Sequence, residues 1–109
     1  MIRGQFYTSP GGVLLGFSLT GHAGYGEAGD DVVCAAVSSA AYLTANTITD
    51  VLHVAADAVV DEDGMQVLVP EKDAPLCRVV LEGLKLHLTA LEEQYSDYLC
   101  ISYLEVSTC

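Results

Sequence analysis

The sequence predicts a single α+β domain in which two helices pack on a mostly antiparallel sheet, in the order β-β-α-β-β-α-β. Three observations indicate this fold. The chain has 109 residues, 51% of them hydrophobic, which suits one domain with one core. Two segments have the composition or periodicity of helices. Five short segments rich in β-branched and aromatic residues alternate with turn-forming residues or with those helices. We find no repeat, linker or low-complexity tract, and we expect residues 1–109 to form one domain.

Four of the five strands are predicted to form two β-hairpins. Residues 2–8 and 13–19 are rich in Ile, Val, Leu, Phe and Tyr, and the Ser-Pro-Gly-Gly sequence between them is a turn. A second hairpin joins residues 55–60 to residues 65–69 through Asp-Glu-Asp-Gly, in which the Asp-Gly pair is a strong hairpin signal. The sequence YLCISYLEV at residues 98–106 predicts the last strand, because its residues favour extended structure.

The first helix is predicted over residues 32–51, with Asp30 or Asp31 as its N-cap, because an aspartate side chain accepts a hydrogen bond from a free N–H of the first turn. Nearly every residue in this helix is apolar or small, so it has to be covered on more than one face, by the sheet and by a second subunit. The second helix begins near residues 73–75, where a proline costs least. Its apolar residues recur at three- and four-residue steps and are Cys77, Val80, Leu81, Leu84, Leu88, Leu91 and Tyr95.

The charge of the chain limits its partners. Four basic residues against fifteen acidic ones give a net charge of −11. Such a surface repels nucleic acid and attracts polypeptides rich in lysine and arginine, although solubility alone accounts for acidity in many proteins. We therefore expect a basic protein partner and no direct contact with nucleic acid.

The chain is expected to be cytoplasmic and not bound to a membrane. No continuous apolar run approaches the ~20 residues of a membrane span, and the N-terminus lacks the features of a secretory signal. Cytoplasmic cysteines stay reduced, so the four cysteines are expected to be free thiols. The spacings C-x-x-C and H-x-x-x-H, typical of zinc sites, do not occur, and we expect no metal or other cofactor.

A histidine and a cysteine flank a glycine-rich segment and form the candidate catalytic pair. The predicted helix places Cys34 in its first turn, where backbone N–H groups and the helix dipole favour a thiolate. His22 follows the second strand and could hold that thiolate as an ion pair and later protonate a leaving amine. The N–H groups at the helix start could also form an oxyanion hole. This combination predicts acyl transfer, meaning peptide or amide hydrolysis.

Each candidate residue also has a purely structural interpretation. Free cysteines are commonly small buried hydrophobic residues, and a cysteine and a histidine at this spacing occur in many unrelated chains. Asp31 could orient His22 or only cap the helix. Ser38 lies one helical turn after Cys34 and could place its hydroxyl at the site, or it could bond back to its own helix backbone.

The other cysteines and histidines are assigned no catalytic role. Cys77 and Cys100 are expected in the core, Cys109 as a loose terminal thiol, and His53 and His87 as structural or surface residues.

The stretch G-H-A-G-Y, followed after a gap by G-D-D-V-V-C-A-A-V-S, resembles the signature of the ribosomal-processing cysteine protease family, Prp. The resemblance extends over essentially the whole chain, including the closing Y-S-D-Y-L-C-I-S-Y-L-E-V. It implies a Prp-like domain over residues 1–109 that acts as a homodimeric cytoplasmic protease and removes a short N-terminal extension from a large-subunit ribosomal protein, a step in ribosome maturation. On matching positions it implies that Cys34 is the nucleophile and His22 the general base and acid. Asp31 and Ser38 match the motif as supporting residues.

The same resemblance places the loop of residues 23–29 beside or over the cleft, and its glycines would let it gate access to the site. Two other functions stay open. The protein could be a ribosome assembly factor that binds a basic ribosomal protein without cleaving it. It could also have a thiol redox role, but the absence of a nearby resolving cysteine argues against this.

Overall fold

A computed structural model describes residues 1–21 and 28–106, with only the backbone described for residues 28–31. The elements are β1 Ile2–Thr8, β2 Leu14–Thr20, α1 Ala28–Asn46, β3 Asp57–Asp61, β4 Gly64–Leu68, α2 Ala74–Gln94 and β5 Leu99–Glu105. A π-helical turn, Thr47–Val51, extends α1, and a short 3-10 turn, Glu71–Asp73, precedes α2. The predicted order β-β-α-β-β-α-β is confirmed.

The five strands form one sheet in the order β3-β4-β2-β1-β5. Every neighbouring pair is antiparallel except β1 and β5, which run parallel. The predicted fold class, a single α+β domain with a mostly antiparallel sheet and two packed helices, is therefore confirmed.

One face of the sheet packs against the helices and the other lacks a helical layer in the described part of the chain. Alternate strand residues point to opposite faces, and the inward set includes Phe6 and Phe17, which are paired in register with ring centroids 6.4 Å apart. The helices contribute Val33, Leu81 and Leu88 to the same buried cluster. The predicted apolar stripe of α2 is confirmed, because its buried residues are Ala74, Cys77, Leu81, Leu84 and Leu88.

The first helix begins earlier than the sequence predicted. α1 starts at Ala28, so Asp30 and Asp31 are its third and fourth residues, and the prediction that one of them is the N-cap is wrong. Acidic residues are also favourable inside the first turn, where they interact with the helix dipole. The end of the predicted gating loop, Ala28 and Gly29, is likewise helical. Residues 22–27, the rest of that loop and His22, lie outside the described residues.

Two further expectations need correction. Cys100 is exposed, not in the core, because it is paired with Arg3 on the face of the sheet that the helices do not cover. The segment Val32–Val51 is long and apolar enough to cross a membrane by length and composition alone, although no such run was expected. Core helices of soluble proteins meet the same criterion, and here Val33, Val37 and Ile48 are buried in the core.

Candidate active site

A cleft of about 240 Å³ lies between α1, the end of β2 and the β3–β4 hairpin. Its walls come from segments far apart in sequence. The lining residues are Ile2, Leu19, Thr20, Gly21, Cys34, Val37, Ser38, Ala41, Tyr42, Val60, Asp61, Glu62, Asp63, Gly64 and Met65. Two of the four residues predicted for the site, Cys34 and Ser38, are among them.

Cys34 and Ser38 share one face of α1, as their four-residue spacing requires. Cys34 is half-buried and packs against the core, whereas Ser38 is exposed. Thr44 and Thr49 each donate a hydrogen bond to the carbonyl four residues earlier. Ser38 makes no such bond within the part of the chain that the structure describes, so its hydroxyl is available to a molecule in the cleft.

The end of β2 lies at the rim of the cleft, and His22 is the next residue in the sequence after Gly21. Gly21 lines the cleft and has a positive φ of 91°. Its N–H donates a hydrogen bond of 3.3 Å to the carbonyl of Asp63 in the β3–β4 turn. The residue that follows, His22, is outside the described residues, as is the side chain of Asp31. The pairing of His22 with Cys34 and the role of Asp31 therefore stay predictions, and so does the gating role of the loop.

The position of Cys34 in its helix differs from the prediction. With α1 beginning at Ala28, Cys34 is the seventh helical residue and lies in the second turn. The influence of the helix dipole falls off within the first turn, and a backbone N–H in the second turn bonds to the carbonyl four residues earlier. The predicted thiolate stabilisation by the helix start and the oxyanion hole built from the same N–H groups are thus not supported by this helix boundary.

An acidic turn forms the wall of the cleft contributed by the hairpin. Asp61 holds the turn together, because its Oδ1 accepts hydrogen bonds from the N–H groups of Asp63, at 2.8 Å, and Gly64, at 3.0 Å. Glu62 and Asp63 are exposed. Among the described residues no group of three or more His, Cys, Asp and Glu side chains could hold a metal ion.

Sequence reasoning identified this turn as a hairpin but missed its place in the site. The available signal was the run of three carboxylates, Asp61, Glu62 and Asp63, in a chain for which a basic partner was already expected.

The other thiols and imidazoles lie away from the cleft. Cys77 is fully buried in α2, as predicted, and burial, followed by the charge of Asp73, raises the pKa of its thiol. His53 and His87 are exposed, which agrees with the surface role expected for them. Cys109 is outside the described residues. In the described part of the chain, Cys34 is thus the one thiol that opens onto the cleft.

A half-buried thiol beside an exposed hydroxyl, in an acidic cleft of a small α+β domain, defines a candidate cysteine-dependent hydrolase. Comparison with known proteins specifies the family. The sequence profile described as cysteine protease Prp matches residues 1–100, and the chain therefore belongs to the Prp family of cysteine proteases. The family expected from the histidine and cysteine motifs is confirmed.

Individual proteins of known sequence or structure are similar to this chain over nearly its full length. The ribosomal processing cysteine protease Prp of Bacillus subtilis is 29% identical over 108 residues, which cover 94% of this chain and 96% of the relative. A crystal structure of the essential ribosomal processing protease Prp from S. aureus, in complex with a substrate peptide, superposes with a TM-score of 0.85 at 22% identity, covering 95% of this chain and 100% of that one. A Streptococcus mutans protein of solved structure gives a TM-score of 0.83 at 26% identity, covering 97% and 96%.

Proposed function

We propose that residues 1–109 form one protease domain that removes a short N-terminal extension from a large-subunit ribosomal protein in the cytoplasm, as a step in ribosome maturation. The observation that carries this proposal is the position of Cys34 in a cleft whose facing wall is acidic. The Bacillus subtilis relative is named as a ribosomal processing protease, which supports the substrate class. The charge of −11 favours a basic polypeptide over nucleic acid or an anionic membrane surface.

In the proposed mechanism Cys34 Sγ, as a thiolate, attacks the carbonyl carbon of the scissile peptide bond. The imidazolium of His22 gives its proton to the leaving amine as the C–N bond breaks, which leaves an acyl group on the sulfur as a thioester. Neutral His22 then takes a proton from water, and the resulting hydroxide attacks the thioester carbonyl. The C–S bond breaks, the carboxylic acid product leaves, and the Cys34 thiolate and His22 imidazolium are restored. The position of Gly21 at the rim of the cleft supports the assignment of its neighbour His22.

Two supporting residues have separate proposed roles. Asp31 orients the imidazole of His22, since the N-terminal boundary of α1 removes its alternative role as N-cap. Ser38 donates or accepts a hydrogen bond with substrate, since its hydroxyl faces the cleft one turn from Cys34. Asp31→Asn should lower kcat and shift its pH profile if the carboxylate orients the imidazole, whereas a helix-stabilising role would change only the unfolding midpoint. Ser38→Ala should raise KM more than it lowers kcat.

The test of the function is cleavage of the purified extended ribosomal protein, monitored by mass spectrometry of the intact protein. Wild-type protein should release a fragment equal to the extension, and Cys34→Ala should release none. Cys100→Ala is the matched control, because it removes an exposed thiol on the far face of the sheet. His22→Ala should be inactive, whereas His53→Asn should be active, since asparagine tolerates the φ of 55° at that position.

The alternative, a non-enzymatic assembly factor, predicts a different result. In that case Cys34→Ala would support growth as well as wild type in cells that depend on this protein, and no shortened ribosomal protein would accumulate with either.

We also propose that the protein is a homodimer that pairs through the outer face of its two helices. This face exposes large apolar side chains, including Leu43 at 69% and Val79 at 84%. A groove of about 520 Å³ between α1 and α2 has no carboxylate among its lining residues in the described chain. Two copies, each with a charge of −11, repel each other least where they meet through this groove, whose lining carries no carboxylate. Leu43→Glu should therefore give a monomer by analytical ultracentrifugation, and a dimer that survives this change would exclude this interface.

A further inference from the structure

β3 is an edge strand of the sheet and is exposed along its whole length. Its five residues, Asp57–Asp61, are all solvent-accessible. Among the described residues its one strand neighbour is β4. An edge strand presents unpaired backbone N–H and C=O groups that can bond to another extended chain.

Hydrogen bonds on β4 identify which backbone groups of β3 are unpaired. The carbonyl of Asp63 and the N–H of Val69 both bond to the chain at β2, through Gly21 and Leu15. Because backbone groups alternate in direction along a strand, the odd-numbered residues of β4 bond toward β2 and the even-numbered ones toward β3. Register pairs those even-numbered residues with residues 57, 59 and 61 of β3. The backbone N–H and C=O groups of Ala58 and Val60 therefore point to the free edge.

The other edge of the sheet is protected differently. In β5 the N–H of Ile101 donates a hydrogen bond of 2.6 Å to Oε2 of Glu92, which reaches over from α2. No described side chain bonds to the Ala58 or Val60 backbone in this way. Of the two edges, the described structure blocks β5 with a carboxylate and leaves β3 accessible.

The end of the accessible strand β3 also lines the cleft that contains Cys34. Val60 and Asp61 line that cleft, and Val60 presents its side chain to the cleft while its backbone faces the free edge. A peptide paired with β3 would therefore extend toward the thiol.

The charges around β3 favour a basic occupant over a second copy of this chain. Asp57 and Asp61 stand at the two ends of the strand, and Glu62 and Asp63 follow in the turn. Antiparallel pairing of β3 with the same strand of a second copy would place Asp57 opposite Asp61, and like charges directly opposite each other are destabilising. An extended segment rich in lysine and arginine would be attracted to the same four carboxylates.

We propose that the basic substrate polypeptide binds as an added antiparallel or parallel strand along β3, held by the backbone of Ala58 and Val60, with its scissile bond in the Cys34 cleft. This inference rests on the proposed function and adds the mode of substrate recognition. Main-chain pairing supplies affinity with little dependence on side chains, and the acidic cleft supplies the charge preference.

The first test measures amide hydrogen exchange by NMR on the Cys34→Ala protein, with and without a synthetic peptide that spans the junction of the extension and the ribosomal protein. The Ala58 and Val60 amides should become protected when the peptide binds. The Val59 amide, which already faces β4, and the Ile101 amide, which is bonded to Glu92, should not change. Binding without any change at Ala58 and Val60 would overturn the proposal.

The second test uses wild-type protein and peptides that are N-methylated at single backbone amides. Methylation should raise KM at every second position of the paired segment, by about 3- to 10-fold for each hydrogen bond lost, and should have no effect at the positions between. If all methylated peptides are cleaved like the parent, β3 pairing is wrong while the protease function stands. If the parent peptide and the full ribosomal protein are both left intact, the proposed function fails, and this inference fails with it.

A protein variant gives an independent check. Ala58→Pro removes one outward N–H, and edge strands tolerate proline. Its matched control, Ala58→Val, keeps the N–H and favours extended structure. KM should rise more for the proline variant than for the valine variant, while both variants should alkylate at Cys34 with iodoacetamide at the wild-type rate. Equal KM values for the two variants, with both folded, would count against the added strand.

Discussion

Gly21 directly follows β2 and lines the cleft, and its replacement by alanine is predicted to reduce activity. The residue has a φ of 91°, and a Cβ there would lie 2.4 Å from the carbonyl oxygen of Met1. Real Cβ atoms essentially never approach closer than 3.0 Å, so the chain must move by about 0.6 Å, the difference between the two distances. The Met1 carbonyl cannot easily yield, because the next residue, Ile2, is buried and its N–H is bonded to Tyr98.

Gly12 provides a matched control for this substitution. Its φ is 86°, but nothing lies within 4 Å of its Cβ position. Both alanine variants incur the cost of a positive φ, about 1 to 2 kcal/mol, whereas only the change at Gly21 adds a clash. Because a misplacement of 1 Å can cost about 100-fold in rate, a shift next to His22 should lower kcat/KM for Gly21→Ala by about tenfold or more.

The assay compares urea unfolding and peptide cleavage for the two variants. Gly12→Ala should cleave at the wild-type rate despite its lower stability. Gly21→Ala should lose more stability and, under conditions where it is fully folded, should also lose activity. If Gly21→Ala matched Gly12→Ala in both measurements, the reasoning that the end of β2 positions the candidate histidine would be refuted.

Three other predictions concern stability and charge. Burial and Asp73 raise the pKa of the Cys77 thiol above its ordinary 9.0, so the folded state holds that proton more tightly. The contribution of this protonated thiol to the unfolding free energy is complete below about pH 9 and is lost at higher pH. Urea midpoints should therefore fall more steeply above that pH for wild type than for Cys77→Ala. Asp61→Ala should cost about 1 kcal/mol of unfolding free energy, because the turn loses its acceptor, whereas Asp61→Asn keeps an acceptor. Both changes should weaken cleavage of a basic substrate at low salt and less so at high salt. Leu88→Ala, at a fully buried site, should cost about 2 to 5 kcal/mol, and Leu104→Ala, at a partly exposed edge site, about 0.5 kcal/mol or less by the same urea measurement.

The parts of the fold that were predictable are those with local causes. The second hairpin was predictable from the Asp-Glu-Asp-Gly sequence, because these residues favour one tight turn geometry. The stripe that contains Cys77, Leu81, Leu84 and Leu88 identified α2, since a helix buried on one face needs that spacing. The histidine and cysteine motif identified the family, and with it the cleft residues Cys34 and Ser38.

The parts that failed depend on tertiary context. Residues 28–31 contain no residue that forbids a helix, because Gly29 only weakens one. The sequence therefore offered Asp30 and Asp31 as caps, although the helix begins at Ala28. The strand YLCISYLEV has apolar residues on both faces, which is typical of a strand covered on both sides. In the structure it lies at an edge with one face covered, and Cys100 is exposed while its neighbour Leu99 is buried.

The β3–β4 hairpin contributes to the site in several ways. Its turn holds Gly21 through the Asp63 carbonyl, and its Gly64 leaves no space for a Cβ, which would lie 1.8 Å from the carbonyl of Leu19. The hairpin therefore packs closely against the end of β2, directly before His22 in the sequence. The same element lines the cleft with carboxylates and presents the free backbone of β3. If the proposed roles of His22 and of the β3 edge are right, a substitution in this hairpin should lower cleavage activity even though Cys34 is unchanged.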